Sequence, residues 1–353
     1  MNIIIKQSRN FIFFLLFFSS YTSLFSMVFI THGMGTSGID FYHNSTYTHL
    51  IKKTALQQNL NCSTIPWLNP NDPHKEYAGL LLQERIQGAA LIAQEIISAK
   101  IKNPSAPIVL IGHGFGCNVM SCASCLLNPE NQDLAESALY DLVDSIKWLL
   151  ENNATKGLSV KKILSTLSTI WNISQLIISA IEHAPCINAN LINFIKQHIS
   201  LEYTQEIKKA WQINHTFIQN LMAKNKCPHA ALISMLYTIG SRWSSCPILQ
   251  PDMHTINHHI HFYSEKDKML IPTGTTKTQT HPRRAHIATY FDPTKTYAPT
   301  HQEFCGNTIM APWILKIPET LRKHRIGNFE HFAWGCNARI TFFEHNEPIY
   351  QKE

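Results

Sequence analysis

Apolar residues along this chain fall into two rhythms, short β-branched runs and longer stretches with helical spacing. Met27 to Thr31 (MVFIT) is a compact run that stops at His32-Gly33-Met34-Gly35, predicting a central strand followed by a glycine-rich loop. A first helix is expected within 40–58 and a weak second strand over Cys62 to Trp67, before NPNDP (69–73) breaks regularity. Between 79 and 101 the spacing turns helical. Leu82, Ile86, Ala89, Ala90, Ala93, Ile96 and Ile97 share one broad face, whose alanines suit close packing against a sheet. Asn103-Pro104 ends that helix, and Ile108 to Ile111 resumes the strand rhythm.

Residues 117–126 continue as a helix, and Pro129 to Asp133 breaks it. The next hundred residues read as mostly helical. One stripe is Leu139, Leu142, Val143, Ile146, Leu149 and Leu150; a second is Ile163, Leu167, Ile170, Ile173, Ile177 and Ile181. Segments 188–200 and 203–222 add two more. Strand-like sequence returns at Ala230 to Thr238, His259 to Tyr263, His286 to Phe291 and 338–343, and 309–322 resembles a closing helix interrupted by Pro312 and Pro318. Alternating strands and helices predict an α/β fold. The expected organisation is a leader over 1–26, a first part of the core over 27–135, a helical insertion or cap over 136–229, and a second part of the core with a C-terminal extension over 230–353.

Composition adds a cellular address. Lys6 and Arg9 precede the apolar stretch FIFFLLFF (11–18), and SSYTSLFS follows, the layout of a secretory leader or N-terminal anchor. Export from the cytoplasm is the expectation, to a secreted, periplasmic or membrane-associated location, with any membrane association made through this segment. Those two cations account for two of the net +6, leaving +4 on a remainder with no dense basic block, so nucleic acid is not an expected partner. At 44% hydrophobic and 15% charged residues, the 353-residue chain reads as globular, with room for a large core. Nine cysteines are many; in an exported chain some would pair in disulfides, and the odd number leaves at least one unpaired within a monomer.

The chemistry-bearing stretch is Pro107 to Met120, PIVLIGHGFGCNVM. Strand, glycine-flanked turn and helix follow one another as in a nucleophile elbow, G-x-S-x-G, but Gly114 stands where the serine belongs. Together with VFITHGMG (28–35), YTIGS (237–241) and YSEKDKMLIP (263–272), this stretch resembles the α/β-hydrolase superfamily, especially small lipases and esterases, over roughly 27–322. The resemblance implies an α/β-hydrolase-like, mostly parallel sheet with a predominantly helical insertion. It also implies a Ser–acid–His triad and an oxyanion hole at the carboxyl ends of the strands.

Carried over residue by residue, the resemblance makes the backbone N–H groups of Met34 and Phe115 the oxyanion donors and Asp267 the triad acid. His301, 34 residues beyond Asp267, takes the place of the base, with His331 in NFEHFAWG as its rival. Gly114 leaves the nucleophile position vacant, because glycine has no atom for a histidine to activate. His32 reads as shaping the oxyanion loop more than as a base, His113 as scaffold inside the elbow, Cys117 as a buried helix thiol more than a replacement nucleophile, and Cys122 and Cys125 as core or disulfide cysteines. His254, His258, His259 and His261 read as local polar surface, with no carboxylate or cysteine spacing to complete a metal site. Neither glycine loop has a dinucleotide or P-loop pattern, and no cofactor is expected.

Three functions fit this pattern. One is a hydrolase-like protein without ordinary serine-esterase activity that binds a lipid, acyl compound or protein partner. Another is an active lipase or esterase using a displaced nucleophile or activated water. The third is a structural or secretion-associated scaffold.

Overall fold

The computed structural model describes residues 27–31, 46–68, 82–132, 200–241, 246–264, 283–291, 309–317, 337–343 and 346–352. Met27–Ile30 (β1) is the strand about which the sheet is wound. Helix α1 (Thr46–Gln57) carries the chain to β2 (Asn61–Thr64) on one side of β1, and α2 (Leu82–Lys102) returns it to β3 (Ile108–His113) on the other. From there the sheet grows in one direction through β4 (Ile233–Ile239), β5 (Ile256–Tyr263), β6 (Arg284–Phe291) and β7 (Asn337–Phe343). All these pairs are parallel; β8 (Asn346–Lys352) closes the edge antiparallel to β7. The order β2-β1-β3-β4-β5-β6-β7-β8 matches that of the α/β-hydrolase fold.

The sheet separates two apolar cores, and strand alternation decides which side chain joins which. Phe29, Leu110 and Leu236 face a core shared with α2, α3 (Phe115–Leu126) and α4 (Ser200–Asn225). Val28, Ile30, Ile111, Tyr237 and Ile239 face the opposite core with α1 and the 309–317 segment. Every residue assigned by spacing to the apolar face of α2 is buried. Each fully buried isoleucine there contributes about 1.5–3 kcal/mol.

Helix α4, the described part of the helical insertion, docks on α2 and on the end of α3. Its Trp211, His215 and Gln219 recur every fourth residue and so share a face. Trp211 Nε1–H donates to the Asn131 carbonyl (3.0 Å), His215 Nε2–H to that of Asn128 (2.9 Å) and Gln219 Nε2–H to that of Leu126 (2.8 Å). These acceptors lie in and just beyond the last turn of α3, and the Asn128 carbonyl also accepts from Asn131 N–H at 3.2 Å. The Asp252 carboxylate, before β5, accepts from the side-chain amides of Asn128 and Asn131, fastening the same end to the sheet.

Some expectations shift. The helix expected over 309–322 is, over 309–316, a run of turns with one 3₁₀ turn at Ile314–Lys316, and Ile317 is α-helical; 318–322 lie outside the described residues. Its apolar residues still pack: Met310, Ala311, Ile314 and Ile317 are buried against the α1 side of the sheet. Strand β8 had no counterpart in the sequence reading. Residues 133–199, with both leucine and isoleucine stripes of the insertion, lie outside the described residues, as does the leader.

Candidate functional site

The elbow forms where the glycine spacing puts it. β3 ends at His113, and α3 begins at Phe115. Gly114 between them has φ 51° and ψ −124°, a conformation matching the first central position of a type II′ turn and open chiefly to glycine. A Cβ on Gly112 would stand 2.7 Å from Cys117 Cα, 2.9 Å from Cys117 N and 3.0 Å from Gly116 O. The first glycine of the motif therefore lets the strand touch the backbone of the helix it feeds.

β4 braces this turn. Gly114 N–H donates to the Ile239 carbonyl at 3.0 Å, and Cys117 N–H closes the first turn of α3 on the Gly114 carbonyl at 3.1 Å. The Cys117 thiol accepts from Ile239 N–H at 3.3 Å and donates to the Ile239 carbonyl at 3.5 Å. Gly240, also at positive φ, continues the brace by donating to the Phe262 carbonyl of β5 at 3.1 Å. The carboxyl ends of β3, β4 and β5 are thus tied edge to edge, where ligands bind in open α/β sheets.

Phe115, the candidate oxyanion donor, is the first residue of α3, at the positive end of the helix dipole. Its ring is buried, and the guanidinium carbon of Arg85 lies 5.2 Å from its centroid. Arg85 is itself 1% exposed. The sequence reading missed this residue, although its place between Leu82 and Ile86 marks it as a charge inside an otherwise apolar stripe. His113, expected as scaffold, is buried, with its ring 6.4 Å from that of Tyr47.

The thiol and hydroxyls of α3 that follow the turn are enclosed by the fold. Cys117 is fully buried, and burial pushes its thiol up to about 12 despite hydrogen bonds from the Ile239 backbone and Ser241 that act the other way. It is a neutral structural thiol at physiological pH. Ser121 and Ser124 are buried in α3, and Ser124 Oγ donates to the Ser121 carbonyl at 2.6 Å. Cys122, Cys125, Cys227 and Cys246 are buried core residues, and Cys62 is partly buried. Met34, Asp267, His301, His331 and His32 lie outside the described residues, as do Cys186, Cys305 and Cys336.

The histidines expected at the surface need correction. His259 is 0% and His261 5% exposed, on the same face of β5, while His258 points the other way. β4 and β6 flank β5, and the Thr238 hydroxyl lies 2.8 Å from His259 Nε2 and 2.9 Å from His261 Nδ1, giving both rings a polar partner in the interior. Among the described residues no three His, Cys, Asp or Glu side chains gather as metal ligands.

A cavity of about 290 Å³ opens at the far end of the sheet, lined by Met27, Phe29, Asn61, Glu95 and Lys102 among others. These residues belong to the amino ends of β1 and β2 and the last turns of α2, so the cavity is separate from the elbow. Compared with family models, curated proteins and solved structures, the chain matches none of them, so its likeness to α/β-hydrolases rests on strand order and elbow geometry.

Proposed function

We propose that this is an exported α/β-hydrolase-like protein without ordinary serine-esterase chemistry, which uses the elbow end of its sheet to bind a lipid, an acyl compound or a protein partner. The observation that carries this reading is Gly114. It holds the backbone conformation of the elbow but offers no nucleophile, and Cys117, Ser121 and Ser124 are all held inside the fold. A hydrolase can lose its attacking atom and keep its turn, because the turn is set by glycine contacts and by β4 rather than by serine.

The remaining assignments follow the strand order. Asp267 comes four positions after Tyr263, the last residue of β5, and His301 ten positions after Phe291, the last of β6. Those neighbouring strands have their carboxyl ends at the elbow end of the sheet, which supports Asp267 with His301 as the surviving acid–base pair. His331 precedes β7 by six positions and is the alternative base. Met34, four positions beyond Ile30 of β1, partners Phe115 as oxyanion donor. Export and membrane association rest on the leader. Among the described residues, no helix is long and apolar enough to cross a membrane.

The test is enzymatic. Purified protein should show no burst with activated short- or medium-chain esters and no labelling by a fluorophosphonate probe. Gly114→Ser should gain labelling if the acid, base and oxyanion donors still converge. Ester turnover by the unmodified protein that disappears in His301→Ala or His331→Ala would establish the active-hydrolase reading instead.

A further inference from the structure

The interior of the sheet between β4 and β6 contains a group of side chains that the elbow does not use. His259 and His261 of β5 share the single hydroxyl of Thr238 on β4. Their rings lie 6.2 Å apart; Tyr263 stacks on His261 at 6.0 Å, and His286 of β6 meets His261 edge-on at 5.6 Å. Arg284, paired with His259 across the sheet, is 2% exposed, and one of its Nη groups points to the Pro251 carbonyl at 3.4 Å. The charged and titratable groups facing His259 are Arg284 and His286 on β6 and His261 on its own strand, and β4 contributes the neutral Thr238. Among the described residues no carboxylate stands in this set.

Counting protons shows how little charge this arrangement tolerates. Thr238 donates one hydrogen bond, so the two rings cannot both accept from it and at least one donates to the hydroxyl oxygen. His259 Nδ1 is buried with no hydrogen-bond partner. The neutral arrangement that strands no N–H has His259 Nε2–H donating to Thr238 and Thr238 O–H donating to His261 Nδ1. A proton added to His259 then sits on Nδ1 as a buried donor without an acceptor. A proton added at His261 Nδ1 makes that ring a donor too, so the Thr238 hydrogen loses its ring acceptor and a charge enters the interior beside Arg284 and His286. Either outcome carries the desolvation penalty of an unmet buried donor.

We propose that the Thr238–His259–His261 cluster is an acid-sensitive latch across β4, β5 and β6, holding the sheet closed only while both rings are neutral. Burial holds His259 and His261 well below the ordinary histidine range, with Arg284 and His286 adding to the effect on each. The unfolded chain has no such restriction, and its histidines take protons below about pH 6.5. Stability from the latch is therefore complete above that pH and is lost as pH falls below it, because the unfolded state then binds more protons. At pH 5.5 the unfolding constant rises by about tenfold for each ring that stays neutral, so by about a hundredfold for the pair.

The test is urea unfolding of the full chain from pH 7.5 to 5.5, compared with His259→Gln/His261→Asn. Gln at 259 offers an amide near Nε2, and Asn at 261 offers one near Nδ1, so hydrogen bonding is retained without titration. The expected result is a rise in the unfolding constant about a hundredfold larger for the parent than for the double variant. A difference below about threefold would overturn the latch. Imidazole ¹³C and ¹⁵N shifts of the folded parent provide a second measurement that does not depend on the variant folding. Both rings should stay neutral at pH 5.5, and protonation of either in the folded protein at pH 6 would equally overturn the proposal.

Discussion

Adding one methyl group at Gly112 should damage this protein more than adding the same group at most surface glycines. The new Cβ would approach Cys117 Cα to 2.7 Å, about 0.7 Å inside the 3.4 Å at which ordinary contact begins, and would also crowd Cys117 N and Gly116 O. All three are backbone atoms, so no side chain can rotate away. Nor can the helix slide easily, because Gly114 and Cys117 are both bonded to Ile239 of β4. Overpacking of this kind costs about 1–3 kcal/mol, and rigid backbone neighbours place Gly112→Ala near the top of that range. Reduced freedom of the unfolded chain offsets about 0.4–1 kcal/mol. The net loss is on the order of 2 kcal/mol, or about thirtyfold in the unfolding constant.

Gly114→Ala separates dihedral strain from crowding at the same turn. An L-residue held at φ 51°, ψ −124° is strained by about 1–3 kcal/mol before the same offset. Urea unfolding followed by tryptophan fluorescence would report both variants, since Trp67 and Trp211 are buried. A Gly112→Ala protein within about 0.5 kcal/mol of the parent, below the overpacking range, would refute the close strand–helix contact. A Gly114→Ala protein more stable than the parent would refute the positive φ.

Two further outcomes follow from the same packing. Cys117 should resist alkylation by iodoacetamide at pH 8 in the folded protein and react once urea unfolds it, because burial pushes its thiol up to about 12; mass spectrometry of the modified peptide would show this. His215→Ala should destabilise by about 0.5–1.5 kcal/mol, the net worth of one hydrogen bond, because the Asn128 carbonyl keeps the N–H of Asn131 when the imidazole is removed. Hydrogen exchange should then show faster opening of α4 than of β3.

What the sequence disclosed depended on how many neighbours each element has. β1 and β3 lie between strands and under helices on both faces, so they read as continuous β-branched runs and were legible. β8 has one neighbouring strand and a sequence, NEPIYQK, in which charges and Pro348 outweigh the apolar signal. The apolar residues of 309–317 are buried as a helical face would be, but 309–316 are turns and a 3₁₀ turn, with Pro312 among them, and only Ile317 is α-helical. The glycines marked the elbow, whereas φ at Gly114 and the brace from Ile239 required three-dimensional neighbours. His259 and His261 were misread because imidazole suggests water unless a partner such as Thr238 is known. Arg85 over Phe115 joins residues thirty positions apart on different helices, and no local pattern encodes that meeting.

The two margins of the sheet bear on how the protein behaves when crowded. A parallel sheet that ended in a long, flat apolar strand would invite strands from other molecules to extend it. Among the described residues, β2 ends one margin after only four residues, Asn61, Cys62, Ser63 and Thr64, and β8 ends the other with Pro348, which has no amide hydrogen to offer. Both terminal strands thus make poor templates for intermolecular pairing. That arrangement favours solubility at high concentration, when folded copies meet most often.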